Sequence, residues 1–233
     1  MIDYDQIKHI GIVGCSAEGA ALCYKTICTE SSRYLGEHAH PEISMHTHSL
    51  AQYVKYLKTN DLHGIGNLML SSVDKLKAQG ADFIICPDNT IHQAFDYVAQ
   101  RSPLPWLHIA DCVIREAKAC GFKKLGILGT QWLTESDVYP AKIERAKLSW
   151  QRPTQETTKR IGHLIMSELV YGIVKPGTVR YFQNTINKFR DSGCDSVILG
   201  CTEIPLVISD NNSSLPTLNS NRILAKAAIS EAI

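Results

Sequence analysis

Gly80-Ala81-Asp82-Phe83-Ile84-Ile85-Cys86-Pro87-Asp88 decides the fold, because the chain contains it twice: Gly193-Cys194-Asp195-Ser196-Val197-Ile198-Leu199-Gly200-Cys201 reads the same way. Each begins with a glycine and an aspartate two positions on, then runs through apolar residues of strand length into a loop. Aligned from their glycines, the copies set Asp88 opposite Cys201. Two further pairs keep the same order, Ile10-Gly11-Ile12-Val13-Gly14 with Leu125-Gly126-Ile127-Leu128-Gly129, and Leu104-Pro105-Trp106-Leu107 with Leu215-Pro216-Thr217-Leu218. A duplicated α/β unit is expected to face its copy across a shared cleft, where strand-end residues of both halves meet.

Outward from these runs, short apolar segments ending in glycine or proline alternate with longer amphipathic ones. That is the pattern of a parallel sheet covered by helices. Strands are expected at 9–13, 42–46, 82–86, 105–108, 124–128, 195–199 and 216–218. Helices are expected at 17–34, 49–58, 62–79, 90–100, 110–119, 135–148, 155–171, 177–192 and 221–232. The first lobe then comprises residues 1–112 plus 210–233, and the second residues 113–209.

Composition narrows the function classes. With 233 residues and 44% apolar content the chain can bury two cores. Its 24 basic and 23 acidic residues are spread along the chain for a net charge of +1. Such a balance leaves no electrostatic footprint for nucleic acid or an anionic membrane. The eight cysteines, Cys15, Cys23, Cys28, Cys86, Cys112, Cys120, Cys194 and Cys201, are irregularly spaced in apolar settings. They read as thiols of a reduced, cytoplasmic protein rather than a disulfide framework, and no paired Cys-x-x-Cys or regular Cys/His spacing predicts a metal. The N-terminal residues lack the basic and apolar regions of a signal peptide, and no run reaches the length of a membrane span.

The chemistry should lie at strand ends, since open α/β sheets bind ligands outside the carboxyl ends of their strands. Cys201 follows an apolar strand and a glycine and precedes Thr202-Glu203 at an expected helix N-terminus, a setting that favours thiolate. Its alternative is a small buried hydrophobe. Cys86 shares the strand-end setting but comes two positions earlier in the repeat, where a structural role competes. Asp88-Asn89-Thr90 sits at a strand-to-helix turn, so Asp88 can act in chemistry, cap the helix, or both. Free N–H groups at such a turn suit an α-carboxylate, and Gly129-Thr130 repeats the arrangement. His46, His48, His92 and His108 are acid/base candidates; His92, on the first turn after Thr90, is the nearest to the expected site, whereas His108 reads as a satisfied core or loop residue. Lys175 is a loop cation or a group that closes on an acidic substrate. Gly11, Gly14 and Gly19 lack the dinucleotide-binding spacing.

At these residues the chain resembles the aspartate/glutamate racemase family. The run Ala81 to His92 resembles the family's first motif, in which a catalytic residue, usually cysteine, precedes Asn-Thr, and Leu199-Gly200-Cys201-Thr202-Glu203-Ile204 resembles its second, Gly-Cys-Thr-Glu. Leu107-His108-Ile109-Ala110-Asp111, Leu128-Gly129-Thr130 with Tyr139, and Gly11-Ile12-Val13-Gly14 with Tyr24 also match, so the resemblance covers nearly the whole chain. Glu203 is like the aspartate racemase branch, where the glutamate branch usually has histidine. The resemblance implies an α/β fold of two pseudo-twofold-related lobes, each a parallel sheet flanked by helices, with the active site in the cleft between them. It further implies a homodimer and a cofactor-independent racemase of aspartate, glutamate or a related amino acid, taking a small acidic amino acid as its partner.

In such enzymes one group removes the α-proton from one face and another returns a proton to the opposite face. Carried over by motif, Cys201 is one acid/base, and Asn89, Thr90, Thr130 and Thr202 hold the substrate carboxylate. Lys175 resembles the lysine that some members use for the side-chain carboxylate. Leu133 replaces the second threonine of the usual Gly-Thr-x-x-Thr, and Gly14-Cys15-Ser16-Ala17 stands where the family has Gly-Gly-Met-Ser. The main departure is Asp88 in the first thiol position. A carboxylate near pKa 4 is a weaker base than a thiolate near 8.5 by roughly four units. Three outcomes are open: Asp88 partners Cys201 unequally, giving racemisation faster from one enantiomer; Cys86 serves as the second thiol; or two-base chemistry is lost. The last would leave a single-cysteine isomerase or decarboxylase, or an inactive acidic-metabolite-binding protein.

Overall fold

The computed structural model describes residues 6–233. It divides into two compact units, one comprising residues to Cys112 together with Asn221–Ile233, the other Val113–Ser220. Each is built on a four-stranded, all-parallel sheet.

In the first unit the strands are β1 (Ile10–Gly14), β2 (Ile43–Thr47), β3 (Phe83–Ile85) and β4 (Trp106–Leu107), in the order β2-β1-β3-β4. The helices are α1 (Ala17–Glu30), α2 (Ser32–Leu35), α3 (Leu50–Lys58), α4 (Leu62–Ala78) and α5 (Phe95–Ala99), and α6 (Ile109–Ala119) begins in this unit and ends in the second. The second unit has β5 (Lys124–Leu128), α7 (Gln131–Thr134), α8 (Pro140–Arg145), β6 (Ser149–Gln151), α9 (Gln155–Ser167), α10 (Pro176–Asp191), β7 (Ser196–Leu199) and β8 (Thr217–Asn219). Its order, β6-β5-β7-β8, repeats that of the first sheet, and α11 (Ser220–Ala232) follows.

Both faces of the first sheet are covered, which is why its strands read as unbroken apolar runs. Ile10, Ile12, Phe83 and Ile85 pack with Cys23 and Ile27 of α1 and with Leu224, Ala228 and Ile229 of α11. Val13 and Ile84, pointing the other way, pack with Ile65, Met69, Val73 and Leu76 of α4. Each such side chain removed from water contributes about 1.5–3 kcal/mol.

The internal repeat is carried by the same bonds in both copies. Gly80 (φ 93°) and Gly193 (φ 85°) adopt the left-handed backbone that stops α4 and α10. Behind them Ala81 N–H reaches the Leu76 carbonyl and Cys194 N–H the Phe189 carbonyl, each at 3.0 Å, closing equivalent Schellman turns. Asp82 then accepts from His9 N–H (2.7 Å), and Asp195 from Lys123 N–H (2.6 Å), so each aspartate ties the entry of one strand to its neighbour. Ser102 and Ser213 bond across Leu104 and Leu215 in the same way before β4 and β8.

Several boundaries differ from the sequence reading. Of the expected helix 135–148 only α8 (Pro140–Arg145) is helical, with Pro140 in its first turn, and a separate single turn, α7 (Gln131–Thr134), precedes it. The expected helix 90–100 is a 3-10 turn, Thr90–Ala94, followed by α5. Strand β6, at the edge of its sheet, went unexpected because Ser149-Trp150-Gln151 contains no apolar run. The chain returns to the first unit at Asn221 and not at residue 210, because β8 pairs with β7 and Ser220 donates to the Leu199 carbonyl (2.8 Å).

Candidate active site

The carboxyl end of β3 delivers Cys86, Pro87, Asp88 and Asn89 to a loop. Asp88 is half-buried, and its Oδ1 accepts from Thr90 N–H (3.1 Å) and Ile91 N–H (3.4 Å), so it caps the 3-10 turn. Those two N–H groups therefore already serve a carboxylate belonging to the chain, and one 3-10 turn replaces the expected helix N-terminus. Asn89 and Thr90 are buried beside it.

The Asp88 carbonyl is fixed by His92, whose Nδ1–H donates to it at 2.7 Å. Ile109 N–H donates to Nε2 of the same ring at 3.5 Å. A carbonyl can only accept, so Nδ1 carries a proton and His92 acts as a strut for the Asp88 carbonyl. His108, 4.7 Å away ring to ring, accepts from Ala110 N–H through Nδ1 (3.1 Å) and caps α6. His46 and His48 meet edge to face at the end of β2, and burial followed by the Lys75 ammonium pushes both below the usual histidine range.

Cys86 does not join Asp88 at the surface of the loop. Its side chain is fully buried among Val13, Ile84 and Ile91, with Sγ 3.9 Å from the Asp88 carbonyl oxygen. Burial, then the Asp88 carboxylate, pushes its thiol well above the ordinary range. A thiol so placed is a core residue and a poor acid or base near neutrality. Tyr53, also fully buried, is raised by burial and then by Cys15, Cys86 and Asp88.

In the second unit, β7 delivers Gly200, Cys201, Thr202 and Glu203. Cys201 Sγ–H donates to Glu203 Oε2 at 2.9 Å, and Thr202 Oγ1–H donates to the same oxygen at 2.7 Å. All three residues are buried. Only a 3-10 turn, Ile204–Leu206, follows. The helix N-terminus expected to favour the Cys201 thiolate is thus absent, and a carboxylate accepting the S–H proton stands in its place. Glu203 was legible only as a motif residue, two positions after the cysteine.

Thr130, at the end of the adjacent strand β5, accepts from Leu133 N–H through Oγ1 (3.2 Å) and caps α7. Leu133 is buried, and its Cδ2 would lie 2.7 Å from a Cβ on Gly129 and 2.6 Å from one on Gly200. The residue in place of the second threonine therefore fills the space left by two glycines, and belongs to the core beneath the site. Lys175 caps the start of α10, where its ammonium lies 3.0 Å from Glu168 Oε1. Thr178 Oγ1–H donates to Glu168 Oε2 at 2.5 Å.

Paired parallel sheets with polar strand-end loops are the two-lobe α/β architecture of amino-acid racemases. The sequence model of the Asp/Glu/Hydantoin racemase family matches residues 10–228, and the chain belongs to that family. It is similar to the structure of a candidate Asp/Glu racemase from Yersinia pestis, at 27% identity with a TM-score of 0.88, covering 97% of this chain and 99% of that one. An aspartate racemase homologue from Pyrococcus horikoshii OT3 is 28% identical with a TM-score of 0.84 over 97% and 99%. Among curated proteins, the broad specificity amino-acid racemase RacX of Bacillus subtilis (strain 168) is 27% identical over 165 residues, 67% of each chain. Among the described residues no helix is long and apolar enough to cross a membrane.

Proposed function

We propose that this protein is an amino-acid racemase that needs no cofactor, with Cys201 and Asp88 as its two acid/base groups and a homodimer as its working form. The observation that carries the reading is the hydrogen-bonded Cys201-Thr202-Glu203 group at the end of β7, where an S–H proton is held by a carboxylate ready to orient it.

In one direction the Cys201 thiolate takes the α-proton, the bond's electron pair stays on the α-carbon and its carboxylate, and protonated Asp88 gives its proton to the opposite face. Cys201 leaves protonated and Asp88 ionised. The reverse direction exchanges the roles. The reading requires both groups to reach one α-carbon from its two faces. Asn89, Thr90, Thr130 and Thr202 are proposed to hold the substrate carboxylate, and Lys175 to meet the side chain of aspartate, glutamate or a related amino acid. Cys86 drops out as the second base, since its thiol is shut in the core.

The test is exchange in deuterated water. Wild-type protein should place deuterium at the α-carbon of at least one amino acid, and Cys201→Ala should abolish it. No exchange with any amino acid would overturn the reading. A second reading, a single-cysteine isomerase or decarboxylase, is favoured by Asp88 standing where a thiol is usual; it is separated by carbon dioxide release or a change in double-bond geometry without α-exchange.

A further inference from the structure

Lys175 is not a free cation. The 3-10 turn Leu169–Tyr171 and the left-handed Gly172 (φ 68°) reverse the chain between α9 and α10, and Ile173 N–H closes the reversal on the Glu168 carbonyl at 3.0 Å. That brings Glu168 and Lys175, seven residues apart, into an ion pair at 3.0 Å. The two partners are unequally held. The Glu168 side chain is 13% exposed and its other oxygen accepts from Thr178, itself buried, whereas the Lys175 side chain is 60% exposed. The carboxylate is the fixed member and the ammonium the mobile one.

We propose that Glu168 sets the substrate class by cancelling the charge of Lys175, so that the enzyme acts on α-amino acids with uncharged side chains in preference to dicarboxylic ones. The inference rests on the reading of Lys175 as the group that meets the substrate side chain. A distal carboxylate approaching Lys175 has to share the ammonium with an anion already 3.0 Å from it, and like charges brought together in this way work against binding. Bonds from Thr178 and then Lys175 hold the Glu168 carboxyl below the usual carboxylate range, so the anion is present throughout the neutral region. An uncharged side chain meets a Lys175–Glu168 pair of zero net charge, with the Arg160 guanidinium as the further charge acting on Glu168. The same connection exposes apolar side chains, Tyr171, Ile173 and Val174, by 74%, 44% and 48%.

The experiment measures kcat/KM for a panel of L-aspartate, L-glutamate, L-methionine, L-homoserine and L-lysine in the wild type, Glu168→Gln and Lys175→Met. Wild type should favour methionine or homoserine over aspartate and glutamate. Glu168→Gln frees the ammonium, and the ratio of acidic to uncharged turnover should rise by about tenfold or more. Lys175→Met leaves the fixed carboxylate alone and should move selectivity the other way, towards lysine. Because the Lys175 side chain is mostly exposed, this second variant keeps the test alive if Glu168→Gln fails to fold. A wild type that prefers aspartate or glutamate, or variants whose selectivity stays put or moves in the same direction, would overturn the proposal while leaving racemisation intact. A wild type that turns over no amino acid removes the racemase reading and this proposal together.

Discussion

Cys201 and Glu203 form one hydrogen-bonded pair, Sγ to Oε2 at 2.9 Å, although only one residue separates them in the chain. The strand end at Gly200 and the 3-10 turn at Ile204–Leu206 fold the two side chains towards each other, with Thr202 bonded to the same oxygen. Glu203 is therefore a positioning residue for the thiol, aiming its proton and holding its rotamer. Glu203→Gln should lower kcat by about 10- to 100-fold while changing KM little, with a thermal midpoint close to wild type. Equal losses in kcat and stability would mean a purely structural role.

Asp88 caps the 3-10 turn and, under the proposed function, is also an acid/base group, and substitution can separate the two. Asparagine caps as well as aspartate, and alanine does not. Asp88→Asn should keep wild-type stability yet lose α-exchange with at least one enantiomer, whereas Asp88→Ala should in addition lose about 0.5–2 kcal/mol in denaturant melts. Full exchange in Asp88→Asn would reduce Asp88 to a cap.

Under the proposed function, a thiol working with a carboxylate would make the two directions of the reaction chemically unequal, but free enantiomers have equal energies. The ratio kcat/KM must then be the same from either one, and the inequality has to appear in kcat and KM separately. We expect the two kcat values to differ by about tenfold or more, with compensating KM values, given roughly four pKa units between an aspartate and a cysteine. Progress curves from each pure enantiomer measure this directly. Replacing Asp88 with cysteine should bring the kcat values together.

Buried thiols set the alkaline limit. Burial pushes Cys23 from 9.0 to about 12, and Cys86 is raised well above the ordinary range. Above a pH of about 9 the unfolded chain gives up protons that the folded protein keeps, so stability falls as pH rises, by up to about 1.4 kcal/mol per unit for each such thiol. Urea melts at pH 8 to 11 should show the decline, and Cys23→Ala should be less stable at pH 8 but have the shallower slope.

Gly200→Ala tests the packing under the thiol. The new methyl would stand 2.8 Å from the Leu128 carbonyl oxygen and 2.6 Å from Leu133 Cδ2. Backbone cannot give way as a flexible side chain can, so a loss of about 1–3 kcal/mol is expected, together with reduced exchange. Leu133→Ala in the same chain should relieve only the side-chain part.

What could be read in the sequence is what the repeat carries. Gly80 with Gly193, and Asp82 with Asp195, perform the same backbone tasks in both sheets, so matching letters meant matching bonds. Residues whose roles come from tertiary approach could not be read this way. Cys86 looked like a site residue until the β3 face that receives it proved to be packed by α4. Glu168 has no motif, and only the reversal at Gly172 brings it to Lys175. Leu133 looked like damage to a threonine pattern, whereas the two glycines facing it show a substitution fitted into the core.

The order of the chain also has a history in it. The first sheet's covering is completed by α11, whose Leu224, Ala228 and Ile229 pack on β1 and β3, while Asn221 donates to the Gly19 carbonyl at 2.8 Å and Lys8 pairs with Glu231 at 2.6 Å. Val113–Ser220, by contrast, is contiguous. During synthesis the half that begins second can finish first, and the half that begins first waits, with one face of its sheet covered by α1 but not yet by α11, until Asn221–Ile233 has been made.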